Sequence, residues 1–317
     1  MLPYDIVDVF TDRPFAGNQL AVVREAADLS TAQCLAIAQE FNFSETTFPS
    51  STPVGAVDYT TRIFTPGGEI PFAGHPTLGT AWVLRSHGLL RPDAEVVTQV
   101  CGAGRIGVRF LEDMVELSAT PRDLFGPLDD ALVAPMLEDV GLSTPDLAGP
   151  AWVAGCGLTF VHIPVAAGAV ERAVASSRPM REYSERLAVF GTAKDPVEGL
   201  NLFRVTGSSP ALRVHARVFV PGLSVAEDPA TGSAAVGLGM ALVASGELPA
   251  GGIYDITQGV EMGRPSSLSG SVETVVLSAS GAPGDTDLVG SPVASVCRVG
   301  GKVQHVGRGE IEVPPAR

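Results

Sequence analysis

At 317 residues, 45% of them hydrophobic, the chain holds enough apolar material for two domains of ordinary size and too much for wholesale disorder. A net charge of −14, without any run rich in lysine or arginine, argues against nucleic acid or an anionic membrane as partners. The four scattered cysteines, Cys34, Cys101, Cys156 and Cys297, form no C-x-x-C pair and no zinc spacing, so buried free thiols are expected. The opening MLPYDIVDVF carries Asp5 and Asp8 and no basic segment, unlike a signal peptide. The longest apolar stretch, Ala234 to Ala244, is broken by glycine and too short to span a bilayer, which makes a cytoplasmic protein the expectation.

Taken in order, Tyr4–Phe10 and Gln19–Val23 read as a first pair of strands around the turn-rich TDRPFAGN. A helix is predicted from the N-cap Ser30 to about Phe41. Strands follow at Thr46–Pro49 and Asp58–Thr65, then an apolar helix over His75–His87 with proline in its first turn. Glu95–Val100, Arg105–Phe110 and Met114–Ser118 read as strands closing the first half. Residues 119–150 are proline-rich, with a helix near Asp129–Val140, and make the best boundary. The expected organisation is an N-terminal domain over 1–120, a connection over 121–150 and a C-terminal domain over 151–317. In the second half a helix is predicted near Pro179–Ala188, strands at Leu200–Thr206 and Leu212–Val220, and a long apolar helix over Pro229–Ser245.

The halves repeat one another. Arg62, Phe64, Pro66 and Gly67 recur as Arg217, Phe219, Pro221 and Gly222. Pro76, Gly79, Thr80 and Ala81 recur as Pro229, Gly232, Ser233 and Ala234. Gly17 and the apolar run after it are echoed at Gly157, and Thr98-Gln99 at Thr257-Gln258. Echoes in the same order mark a tandem duplication of roughly 150 residues. Each half places many short strands around one helix that is apolar on every side, and such a helix must be buried on every side. A sheet wrapped round it is the economical solution. The predicted fold class is therefore α+β: two pseudo-symmetric domains, each a barrel-like, mostly antiparallel sheet wrapped round a central apolar helix.

The segments GHPTLGTA and EDPATGSAA each open a helix through a turn of glycine and proline. Helix-start N–H groups lack internal partners and attract anions. Two such starts related by pseudo-symmetry suit a carboxylate. His75 and Asp228 occupy the point where the copies differ. His75 is a helix-capping imidazole or a proton carrier, with an unperturbed pKa of about 6.5. Asp228 is an N-cap, or else it orients a substrate amine or serves as a second acid–base group. Glu45 in FNFSETTFP is a solvated loop glutamate by spacing alone, or a desolvated carboxyl of raised pKa suited to proton transfer. Asn18 beside Gly17 can turn into the cleft. Arg264 either meets a carboxylate or bridges strands. There is no G-x-G-x-x-G after a strand, no Walker loop and no G-x-S-x-G.

Together DVFTDRPFAGNQLAVV, NFSETTF, IPFAGHPTLGTAWVL, EDPATGSAAVGLG and QGVEMGRPS resemble the PhzF-like isomerases of phenazine biosynthesis, from about residue 5 to residue 315. The resemblance implies the diaminopimelate-epimerase fold, with an active site between its two domains. It implies Glu45 as the catalytic group that moves a proton, and His75, Asp228 and Ser233 as groups that bind substrate or assist. It further implies Gly74 and Gly232 as glycines that let backbone amides approach a carboxylate, no metal or organic cofactor, and a homodimer. Racemases on this fold use two cysteines, and neither GHPTLG nor DPATGS holds one. The expected function is a cofactor-independent isomerase acting on a small carboxylate-bearing metabolite. The alternatives are an epimerase or racemase pairing Glu45 with His75 or Asp228, and a non-catalytic binding protein on the same fold.

Overall fold

A computed structural model describes residues 1–50, 57–175, 178, 182, 185, 187, 196–208, 211–221, 226–276 and 292–315. Most of the helix predicted near Pro179–Ala188 lies outside the described residues. Five helices carry the architecture described below: α1 (Thr31–Phe41), α2 (Gly74–Ser86), α3 (Asp130–Asp139), α4 (Ala169–Arg172) and α5 (Gly232–Ala244). Ser30 caps α1 as predicted. Its side chain accepts from the Gln33 amide while the Gln33 side chain accepts from the Ser30 amide, and Asn42 closes the helix in the left-handed region.

The described strands join one sheet of 18, mostly antiparallel. The exceptions among the described residues are four parallel pairs, and they repeat between the halves. Asn18–Val23 pairs with Glu45–Ser50 across α1, and Tyr59–Thr65 with Val96–Cys101 across α2. In the second half Thr159–Pro164 pairs with Val197–Thr206 across α4, and Ala211–Phe219 with Gly252–Gln258 across α5. A parallel pair needs a crossover, and the crossover helix covers a sheet face. The chain ends are stitched as well. The first strand, Leu2–Val9, lies antiparallel to the last, Val303–Ile311, and Pro292–Gly301 pairs with Val115–Ala119 of the first half.

The two central helices are buried as their sequences require. In α2 every residue but Trp82, Arg85 and Ser86 is buried, and in α5 every residue but Ser233 and Ala244. Side chains of both helices share one core with Val7, Val9, Leu20, Tyr254 and Leu268 from the surrounding strands. The approach is close: a methyl group on Gly237 of α5 would lie 2.9 Å from the Ala154 carbonyl oxygen. Both helices begin later, or end earlier, than periodicity suggested. Pro229 and Ala230 belong to the turn before α5, and His87 is the C-cap of α2. Of the cysteines, Cys34 and Cys297 are buried, while Cys101 and Cys156 are half-buried because they sit at a strand end and in a turn.

The repeated Arg-x-Phe does the same work twice. Arg62 makes a forked pair with Glu69 at 2.8 and 2.6 Å, donates to the Leu29 carbonyl before α1, and lies 5.0 Å from the Phe64 ring. Arg217 makes a forked pair with Glu227 at 2.8 and 2.8 Å, donates to the Val170 carbonyl in α4, and lies 4.9 Å from the Phe219 ring. In each half the guanidinium fastens a crossover segment to the strand that leads into the central helix.

Candidate active site

The starts of α2 and α5 meet. A methyl built on Gly74 would lie 3.6 Å from Gly232 Cα and 3.8 Å from the Ser233 nitrogen. The N-cap residues are Ala73 and Thr231, and neither side chain caps its helix. First-turn amides of both helices are therefore left without an intrahelical or capping partner, and the helix dipoles add partial positive charge there. Beside them lies a cavity of about 130 Å³ lined by Glu45, His75, Asp228, Gly74, Gly232 and Ser233, with Ser44, Thr231 and Glu198 among its other walls.

Asn18 is the hub behind this cavity. Its amide donates to Asp228 Oδ1 at 2.8 Å and to the Ala230 carbonyl at 3.0 Å, and meets His75 Nδ1 at 3.2 Å. Its own oxygen accepts from the Ser44 hydroxyl at 3.3 Å. An Nδ1 that faces an amide donor leaves the imidazole proton on Nε2, which donates to the Gln19 carbonyl at 3.3 Å. Asn18 is aimed by the turn before it. Gly17 has φ of 69°, and a side chain there would meet the Val9 carbonyl oxygen at 2.4 Å. Arg264 holds that turn from outside, donating to Gly17 O at 3.0 Å and Ala16 O at 2.8 Å and pairing with Asp8. It does not line the cavity.

Asp228 accepts at both oxygens, the second taking the Thr231 hydroxyl at 2.6 Å. Gln258 supports this turn, donating to the Asp228 carbonyl at 2.7 Å and to Thr231 Oγ1 at 3.0 Å. Glu45 differs. Its side chain is 16% exposed, its Oε2 lies 3.5 Å from His75 Nε2, and that buried oxygen has no hydrogen-bond partner.

The electrostatics follow from these contacts. Burial pushes the Glu45 carboxyl up to about 8, helped by the charge of Asp228 and opposed by the Ser44 hydroxyl. Burial also raises Asp228, to about 6, against the hydrogen bonds of Thr231 and Asn18. Burial lowers His75 to about 3, so its ring is neutral at physiological pH. The site thus pairs a carboxyl protonated near neutrality with a fixed neutral imidazole and an ionised aspartate. A carboxyl poised near the working pH can both take and give a proton. Among the described residues no group of three or more His, Cys, Asp and Glu is placed to hold a metal ion, and no helix is long and apolar enough to cross a membrane.

Seven of the eight residues singled out in the sequence are gathered at or directly behind the cavity, and Arg264 supports them from a distance. The sequence reading overlooked Thr231 and Gln258, although a threonine just before a helix is a recognisable N-cap signal. It also overlooked Glu198, which sits in DPVEGLNLF with no motif around it.

Known proteins resemble this chain over nearly its whole length. Residues 7–290 match the family of phenazine biosynthesis-like proteins, PhzC-PhzF. A trans-2,3-dihydro-3-hydroxyanthranilate isomerase from Pseudomonas chlororaphis is 34% identical over 265 residues, covering 83% of this chain and 87% of the relative. A PhzF-family phenazine biosynthesis protein from Bacillus anthracis shares the fold, with a TM-score of 0.80, 22% identity and coverage of 98% of this chain and 99% of that one. A probable proline racemase from Agrobacterium radiobacter shares it more distantly, with a TM-score of 0.60, 13% identity and coverage of 99% and 94%. With nearly its whole length matched and the fold shared, the chain belongs to the PhzC-PhzF family and is an isomerase of the PhzF type.

Proposed function

We propose that the protein moves a proton on a small carboxylate-bearing metabolite held between the starts of α2 and α5. The reading rests on one observation: a buried, unpartnered carboxyl oxygen of Glu45 faces a cavity walled by two uncapped helix starts. The substrate carboxylate accepts from first-turn amides of both helices, with the Ser233 hydroxyl beside it. Glycine at 74 and 232 keeps those amides accessible. Glu45 in its ionised form removes a proton from a C–H bond of the substrate, and the same carboxyl returns it at another carbon. His75 and Asp228 hold Glu45 and tune it, and Asn18 fixes both. The relatives' trans-2,3-dihydro-3-hydroxyanthranilate is the first substrate to try. Family membership does not make phenazine synthesis the pathway. The epimerase alternative calls for a second proton carrier, and His75 is poorly suited: it is held neutral with both ring nitrogens engaged.

The pH dependence is specific. Because the ionised form of Glu45 starts the reaction, kcat/KM rises with pH and levels off near 8. The charge of Asp228 contributes to that high value, so Asp228→Asn moves the bend to lower pH. Steady-state rates between pH 5.5 and 9.5 test both points. A flat profile, or a bend unmoved in Asp228→Asn, contradicts the assignment.

A further inference from the structure

Three carboxyl groups line the cavity, and they are not equivalent. Both oxygens of Asp228 already accept from Asn18 and Thr231. Glu45 is set against His75 and Asp228 on the first-half wall. Glu198 comes from the second half and has no hydrogen-bond or ion-pair partner among the described residues.

The position of Glu198 is built by the duplication. In the first half Glu45 pairs in parallel with Leu20. The equivalent strand of the second half pairs Thr159 with Val197 and Phe160 with Gly199, and the register shifts between them. Glu198 is the extra residue of that bulge, next to the place that corresponds to Glu45. Bulges re-aim side chains, and here one adds a carboxyl to the cavity wall alongside Leu158 and Phe160. Burial raises its pKa, and no hydrogen bond or ion pair among the described residues offsets that. A half-buried acceptor on a ligand cavity, without a partner among the described residues, is free to take a donor from the ligand.

We infer that Glu198 is a specificity-determining residue: it accepts from a hydrogen-bond donor of the substrate, an ammonium best, on the wall supplied by the second half. This rests on the proposed reading of the cavity as the substrate site. The substrate then carries a carboxylate at the helix starts and a donor group that reaches Glu198, with the reacting carbon at Glu45.

The test is a binding comparison that needs no turnover. Calorimetry with 2-aminocyclohexanecarboxylate and cyclohexanecarboxylate gives the preference of the wild-type protein for the amine. We expect a preference of about ten- to a hundredfold, the usual worth of a charge-assisted hydrogen bond. Glu198→Ala and Glu198→Gln should each reduce it while leaving cyclohexanecarboxylate affinity unchanged, the alanine variant most. An equal preference in wild type and both variants overturns the inference. So does an equal loss of affinity for both acids in the variants, which would mark a structural role only. Absence of binding by either acid to the wild-type protein would instead sink the reading of the cavity itself.

Discussion

Replacing Glu45 by glutamine lowers turnover by about a thousandfold or more, toward the upper end of what general acid–base catalysis supplies. Glutamine keeps the size and polarity of the side chain and removes the titratable proton. Carboxylate binding should survive, because the helix starts that receive it are untouched. Folding should survive too, and the sign of the stability change is fixed. A carboxyl raised to about 8 in the folded state holds its proton more tightly there than in the unfolded chain. The stability of the wild type therefore declines as pH rises from the ordinary glutamate range through about 8, whereas Glu45→Gln lacks that decline. Single-turnover rates together with thermal melts at pH 5 and pH 9 check the prediction. Full activity in the variant would remove Glu45 from the mechanism.

Gly74→Ala should raise KM by about ten- to a hundredfold while leaving the protein folded, the cost of losing one charge-assisted hydrogen bond or weakening two. The position has no left-handed backbone requirement. A methyl there would meet its neighbours at ordinary contact distance, 3.6 Å from Gly232 Cα and 3.8 Å from the Ser233 nitrogen. The molecule tolerates the added carbon, but the carbon occupies the approach to the Ser233 amide. Affinity for simple carboxylates, measured by calorimetry, should fall with KM. An unchanged affinity would place the carboxylate elsewhere. Loss in kcat alone would mean that Gly74 matters to the chemistry and not to binding.

Local signals in the sequence revealed much of this arrangement. The N-cap at Ser30, the two glycine-led turns that open helices and the all-round apolar character of α2 and α5 are patterns of neighbouring residues, and the structure contains each of them. What escaped the sequence depends on pairing across long separations. Arg62 and Arg217 were visible as a repeat, but their shared role as clamps depends on Glu69 and Glu227 reached through different turns. Arg264 was read as a candidate for a carboxylate, and the carboxylate it meets is Asp8, brought beside it by the packing of the 13–18 turn. The start of α5 fell later than periodicity indicated because Asp228, Thr231 and Gln258 build a hydrogen-bonded turn in front of it. Glu198 had no signal at all. Its place is set by a one-residue shift of register between two strands, which no motif encodes.

The duplication frames the chemistry. Both halves supply a helix start, a clamp and a parallel strand pair, so the symmetric part of the molecule forms the cleft. On the proposed mechanism function enters where the copies differ, at Asn18, Glu45 and His75 from one side and Asp228 and Glu198 from the other. Buried carboxyl groups at such a junction cost stability, and that is a common mark of a site kept for its chemistry.

On the proposed mechanism the cleft holds Glu45 as a carboxyl poised near neutrality. Carbon-13 labelling of the glutamate side chains, with the Glu45 resonance identified by its absence from Glu45→Gln, allows its titration to be followed directly by NMR. The expected midpoint is near 8 in the free protein and lower in Asp228→Asn. A midpoint in the ordinary glutamate range, around 4.3, would contradict it.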